Sequence, residues 1–207
     1  ARGILRYYEG RLDDAAEHLE EARTLSKSQG DRIGEFTANE HLTMIEVERG
    51  DYGAALQRSS ALVQIGERLR EGSEHPFALA LQALCRYGAG QDDADLDETL
   101  EVLRQVDAKQ RLAFLLNRAA MLDIDRGRPE AARRRAGEAL QLAQLMERPS
   151  EILQAHISLA SVGGAEVSAD PRDHMAAIGE LLAGTVASWE REGAVPLLGA
   201  DAEWIQT

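Results

Sequence analysis

The stretch ERGDYGAALQ, Glu48 to Gln57, places a glycine–aspartate turn ahead of a segment with apolar residues at helical spacing. The stretch YEGRLDDAAEHL, Tyr8 to Leu19, has the same order of glycine, turn and apolar residues, with its glycine 40 positions earlier. Each stretch predicts a helix–turn–helix corner. A corner that recurs at a fixed interval indicates an internal repeat, and a repeat decides the fold.

The repeat extends over most of the chain. Four segments read apolar, apolar, charged, apolar, and their starts are separated by 40, 40 and 37 residues. The segments are 4–7, 44–47, 84–87 and 121–124, and the glycines that follow them are Gly10, Gly50, Gly90 and Gly127. The pattern therefore predicts four corners of one kind.

A second helix is predicted after each turn. After Gly10, apolar residues recur at steps of three and four, which gives one apolar stripe on a helix. Small residues at equivalent positions, Ala15, Ala55 and Ala132, predict that two helix backbones approach closely there. One such hairpin cannot bury its own apolar face, so stability requires at least about three stacked units.

The predicted units divide the chain as follows. We expect hairpins at about 1–30, 31–72, 74–107 and 108–147, and the first helix of a divergent fifth unit at 149–162. Residues 163–207 are interpreted as divergent C-terminal helices, which either cap the array or belong to a truncated unit. Pro129 suits the first turn of a helix, where its missing N–H has no cost. Because the segment before Gly10 is short, we expect the chain to be a piece of a longer polypeptide.

Composition restricts the function classes. The chain has 207 residues and 44% hydrophobic content, enough for a buried core, and no apolar run long enough for a membrane span. A net charge of −13 argues against a general nucleic-acid binder. The single cysteine, Cys85, cannot form an internal disulfide, which favours a reducing, cytoplasmic setting.

No catalytic or cofactor motif is recognisable. The five histidines have no zinc-site spacing, and the chain contains neither a phosphate-binding loop nor a glycine-rich dinucleotide fingerprint. The acidic run DDADLDETLE lacks the glycine and the glutamate that a calcium loop needs, so helix capping explains it better. We therefore expect no enzyme activity, no cofactor and no bound metal.

The corner and stripe resemble those of the tetratricopeptide repeat. The resemblance covers about residues 1–162 and is clearest at Leu42, Gly50, Asp51, Tyr52, Ala55 and Leu62. It is closest to the roughly 40-residue variety found in large bacterial signalling proteins, such as LuxR-type ATP-dependent activators and ATPase-linked cyclase regulators. It implies an all-α fold, a right-handed α-α superhelix of antiparallel helix pairs.

The resemblance also implies a partner-binding groove lined by the first helix of each pair. The corresponding residues are Tyr7, Tyr8, Thr37, Glu40, Glu48, Phe77, Tyr87, Phe114, Asn117 and Asp125. Aromatic residues in such a groove suit a bound peptide or helix. The alternative is that Tyr7, Phe77 and Tyr87 belong to the core.

Two charge patterns accompany the repeat. Arg126, Arg128, Arg133 and Arg134 form a candidate docking patch for an acidic surface or a phosphate, and the alternative is a solvated, salt-bridged face. The charged residues of the four repeat segments alternate in sign, as Arg6, Glu46, Arg86 and Asp123. We interpret that alternation as a ladder of ion pairs between successive units, against the alternative of four solvated charges.

The predicted function is a non-catalytic protein–protein interaction and regulatory scaffold within a larger cytoplasmic signalling or transcription-regulatory protein. Its expected partner is a protein or peptide segment, or another domain of the same polypeptide, without membrane or direct nucleic-acid contact. One alternative is a ligand-sensing domain that gates an attached ATPase, cyclase or DNA-binding module. Another is self-assembly into a homo-oligomer.

Overall fold

The computed structural model describes residues 2–69, 72–92, 94–162 and 174–181, and within these ranges the chain is helical without strands. The predicted all-α class is therefore confirmed. Residues 174–181 are helical, and the rest of the predicted C-terminal region, 163–207, lies outside the described residues. The other helices are α1 (Arg2–Tyr8), α2 (Leu12–Gln29), α3 (Arg32–Glu48), α4 (Tyr52–Leu69), α5 (Glu74–Gly88), α6 (Ala94–Gln105), α7 (Lys109–Asp125), α8 (Pro129–Leu145) and α9 (Pro149–Ser161).

The four turns that join the two helices of a pair share one hydrogen-bond pattern, which also occurs at Gly30 and Glu147 between successive pairs. At Gly50, φ is 71°, a left-handed conformation that residues with a Cβ rarely adopt. The Gly50 amide donates to the carbonyl of Val47, and the Asp51 amide donates to the carbonyl of Glu46. The same two bonds form at Gly10, Gly90 and Gly127. The four corners predicted from the sequence are thus alike at the level of individual backbone bonds.

The helices pack in a regular order. Each helix from α1 to α9 contacts the next one, and the odd-numbered helices also contact each other in succession. The even-numbered helices approach one another through long side chains, as in the Arg104–Glu138 ion pair between α6 and α8. The backbones of the odd-numbered helices are therefore closer together than those of the even-numbered ones.

The hydrophobic core extends along the stacked helices. The largest cluster of buried apolar side chains extends from Phe36 on α3 to Ala155 on α9. Ala15, Ala55 and Ala132, predicted to face another helix, are fully buried. Pro129 occupies the first turn of α8, as its sequence context predicts. None of the described helices is long and apolar enough to cross a bilayer.

A buried polar network joins the third and fourth helix pairs. The Tyr87 hydroxyl on α5 donates to Asp123 Oδ1 on α7 across 2.5 Å, and both residues are fully buried. Arg135 on α8 donates to Asp123 Oδ2 across 2.6 Å and to Asp97 on α6 across 2.7 Å. The network connects four helices, and it removes Tyr87 from the predicted groove.

The predicted charge ladder is wrong. Its members pair within their own units, Arg6 with Glu9, Glu46 with Arg58, Arg86 with Asp95 and Asp123 with Arg135. In the last three cases the partner lies on the second helix of the same pair. The charged residue of each of these three segments therefore faces the second helix of its own pair. The alternating signs do not connect successive units.

We predict that Asp123→Ala lowers the free energy of unfolding by about 3–5 kcal/mol, because Tyr87 and Arg135 both lose a buried partner. The exposed Asp125, two residues further along α7, provides the control, since Asp125→Ala changes stability by no more than about 0.5 kcal/mol. Urea unfolding followed by far-UV circular dichroism measures both. Equal stabilities of the two variants would contradict a stabilising role for the network.

Two helical glycines predict opposite effects of the same substitution. A Cβ at Gly66 on α4 would lie 3.0 Å from the His75 Cα, so Gly66→Ala forces α4 and α5 apart. A Cβ at Gly137 on α8 would meet nothing within 4 Å. We expect Gly137→Ala to stabilise by about 0.5–1 kcal/mol through helix propensity, and Gly66→Ala to destabilise by about 1 kcal/mol. Thermal unfolding of both variants checks the signs, and stabilisation by Gly66→Ala would contradict the close approach.

Candidate binding cavity

One cavity of about 300 Å³ lies where the odd-numbered helices converge. Residues of α1, α3, α5, α7 and the start of α9 line it. Six lining residues belong to the predicted groove, namely Tyr7, Tyr8, Thr37, Glu40, Phe77 and Phe114. Six others were not predicted, namely His41, Met44, Gln110, Arg111, Arg148 and Glu151. Because side chains so distant in sequence share one surface, the cavity is the candidate functional site.

Aromatic rings form one wall of the cavity. The Tyr7 and Tyr8 rings meet edge to face with centroids 5.2 Å apart, and His41 packs edge-on against Tyr7 at 5.8 Å. His41 Nδ1 lies 2.9 Å from the Thr37 carbonyl oxygen, which can only accept, so Nδ1 carries the proton and the ring is held in place. Tyr8 is 47% exposed, which leaves part of its ring available for contact.

Two ion pairs cross the cavity region from α7 to α3, passing over α5. Arg111 Nε donates to Glu40 Oε1 across 3.0 Å, and its Nη2 donates to Glu40 Oε2 across 2.9 Å. Arg118 forms the second pair, with Glu48. A guanidinium that binds both carboxylate oxygens is fixed in direction as well as position. Helices α3 and α7 are therefore held together by side chains.

Each of these arginines also stacks on an aromatic ring. The Arg111 guanidinium lies 4.9 Å from the Phe77 ring centroid, and that of Arg118 lies 5.3 Å from Phe114. Arg148, just before α9, repeats the contact at 5.3 Å from Tyr8. Within the described part of the chain, the side chain of Arg148 has neither an ion pair nor a hydrogen bond. The third arginine thus lacks the carboxylate that the other two have.

Burial and neighbouring charges set the protonation states of Arg111 and Tyr7 in the cavity. Burial acts to lower the pKa of Arg111, but hydrogen bonds and charge from Glu40 and Glu74 outweigh it and raise that pKa. Burial, and next the charge of Glu48, raise the pKa of Tyr7, whose hydroxyl donates to Glu48 across 3.3 Å. Tyr7 is therefore a neutral donor, and Arg111 stays charged at physiological pH.

The described residues contain no group of three or more His, Cys, Asp or Glu side chains that could hold a metal ion. The cavity carboxylates are engaged by protein donors, Glu40 by Arg111 and Glu151 by the Asn117 amide across 2.8 Å. The chemistry that this lining offers is recognition of an apolar group beside a charged one.

Four predicted groove residues lie outside the cavity lining. Tyr87 and Asn117 are fully buried, so the prediction that these two line the groove is corrected. Asp125 is exposed at the end of α7, away from the cavity lining. Glu48 does not line the cavity, but it contacts Tyr7 and Arg118. Tyr87 and Asn117 are buried because their side chains are directed toward the neighbouring pair, where Asp123 and Glu151 bind them.

The predicted arginine patch is largely engaged by the protein itself. The Arg126 guanidinium lies 3.8 Å from the Tyr87 ring centroid, and Arg128 donates to the Tyr87 hydroxyl across 3.3 Å. Arg133 donates to the Val162 carbonyl across 2.9 Å. Arg134 is exposed. This arrangement favours the salt-bridged alternative over a shared docking surface.

Comparisons with known proteins give no family assignment. No protein-family model matches the chain, and a search of curated proteins finds no match.

We predict that the Arg111–Glu40 pair is energetically coupled. In a double-mutant cycle with Arg111→Met and Glu40→Gln, we expect about 1.5–3 kcal/mol of coupling, because both side chains are largely buried, at 21% and 10% exposure. The control cycle uses Arg104 and Glu138, an equally bidentate pair at 35% and 32% exposure, with expected coupling of about 0–1 kcal/mol. Chemical denaturation measures both cycles, and equal coupling energies would refute a special role for the cavity pair.

Proposed function

We propose that the chain is a non-catalytic, tetratricopeptide-like binding module, built as a right-handed superhelix of antiparallel helix pairs, within a larger cytoplasmic signalling or transcription-regulatory protein. The four like corners support the repeat. Curvature is supported by the closer backbone packing of the odd-numbered helices. It is further supported by the hydrogen bond of 3.2 Å from Gln110 on α7 to the Tyr8 hydroxyl on α1.

The concave face of this superhelix is the proposed partner-binding surface. The observation that carries the proposal is the convergence of five odd-numbered helices on one cavity with an aromatic wall and a charged rim. A partner protein segment anchors there by inserting one large side chain, and the exposed part of Tyr8 forms the entrance. Interfaces commonly depend on such an aromatic anchor in a pocket.

A second candidate, ligand sensing, is favoured by two ion pairs between α7 and α3, of which the Arg111–Glu40 pair lines the cavity. The Arg111–Glu40 and Arg118–Glu48 pairs obstruct a continuous helix lying along the concave face, whereas a small molecule fits beside them. Ligand sites typically have volumes of about 300–1,000 Å³, and this cavity of about 300 Å³ falls at the lower end. In this function, ligand binding shifts the curvature and thereby gates an attached module.

We predict that the two candidates share a dependence on Tyr8. Binding is measured with peptides selected from a random display library, and with a metabolite panel in thermal-shift assays. Tyr8→Ala should weaken whichever ligand binds by about tenfold or more, since it removes an aromatic contact at the entrance. The control is Leu145→Ala, which removes an exposed apolar side chain from α8, away from the cavity.

The outcomes separate the hypotheses. Saturable peptide binding supports docking, and stabilisation by a metabolite supports sensing. Binding of either kind that resists Tyr8→Ala refutes the cavity as the site. If nothing binds and light scattering shows a mass that rises with concentration, self-assembly replaces both proposals.

A further inference from the structure

We infer that the cavity binds a small organic monocarboxylate with an aromatic or branched apolar body, and that Arg148 binds its carboxylate. This inference rests on the ligand-sensing form of the proposed function and names the chemical class of the ligand.

The repeated arginine arrangement carries the inference. Arg111, Arg118 and Arg148 each place a guanidinium about 5 Å from an aromatic centroid. In the first two cases α3 supplies a glutamate to the guanidinium. At Arg148 the described part of the chain supplies no carboxylate. A guanidinium that lies over a ring keeps its planar set of N–H donors, which fit a carboxylate in two-point fashion.

The cavity next to Arg148 accommodates the rest of such a molecule. Tyr7, Met44, Phe77 and Phe114 contribute apolar surface to the same lining as Arg148. Aromatic and thioether surface suits an aromatic or branched apolar group and adapts to its shape. A volume of about 300 Å³ limits the ligand to a small molecule.

The lining disfavours a cationic ligand. The Phe77, Phe114 and Tyr8 rings each already carry a guanidinium group, which covers one of the ring faces that attract cations. Both oxygens of Glu40 bind Arg111. A ligand ammonium would therefore lie near Arg111 and Arg148 with no uncommitted carboxylate except one oxygen of Glu151, whose other oxygen accepts from Asn117.

The inference is tested with matched probes. The acids are benzoate, 3-phenylpropanoate, 4-methylpentanoate and indole-3-acetate, each compared with its neutral amide, and 3-phenylpropylamine serves as the cation. Calorimetric titration of the full chain should show at least one acid binding about tenfold or more tightly than its amide, because the charged hydrogen bonds to Arg148 are lost in the amide.

Variants locate the carboxylate. Arg148→Gln should weaken the acid by about tenfold or more and leave the amide unchanged, and Arg148→Lys should restore part of the affinity. The control Arg134→Gln removes the same charge from an exposed site on α8 and should leave acid binding unchanged. Unchanged melting temperatures of the free variants show that folding is intact.

Three results would overturn the inference. They are equal binding of acids and amides, tighter binding of the amine, and acid binding that resists Arg148→Gln. If no acid binds while selected peptides bind in a Tyr8-dependent way, the carboxylate assignment fails and the binding module stands. If Tyr8→Ala affects no binding at all, the proposed cavity function fails as well.

Discussion

The glycine corner is the constraint on which the other features depend. At Gly50 and its three counterparts, a left-handed residue and two backbone hydrogen bonds end one helix and direct the chain back along it. Because the turn is short, the two helices of a pair must pack against each other. Their remaining apolar surface is then covered by the next pair, and the odd-numbered helices come into contact in succession. The cavity lies on the surface that this succession forms.

The sequence predicted the features that local chemistry determines. The corners, the apolar stripes and the helix start at Pro129 each depend on a few neighbouring residues, so they could be recognised without knowledge of packing. Six groove positions were found because the resemblance to the tetratricopeptide repeat implies a groove lined by residues of the first helices. Tyr87 was misplaced because its burial depends on Asp123, a residue 36 positions away. Arg148 was missed because it meets Tyr8 only through the packing of helices far apart in sequence, which no local pattern encodes.

A complementary spacing could have revealed the crossing ion pairs. Glu40 and Glu48 are eight residues apart on α3, and Arg111 and Arg118 are seven apart on α7, so each set spans about two helical turns. Opposite charges at matched intervals on two first helices predict two parallel pairs. The predicted charge ladder contained one equivalent position from each unit, so it did not include these residues. Ion pairs that skip a unit are visible only when whole helix faces are compared.

An arginine–carboxylate ion pair has different consequences in the core and beside the cavity. Asp123 and Arg135 are enclosed on all sides, and their hydrogen bonds to Tyr87 and Asp97 fix how the third and fourth helix pairs fit together. Glu40 and Arg111 lie beside a cavity, where a bound molecule can approach them. Tyr8 and Arg148 lie at the first and last of the helices that line that cavity. In the proposed sensing function, a ligand held between them joins the two ends of the array. Its binding free energy therefore favours one curvature over others, which is the physical requirement for gating an attached module.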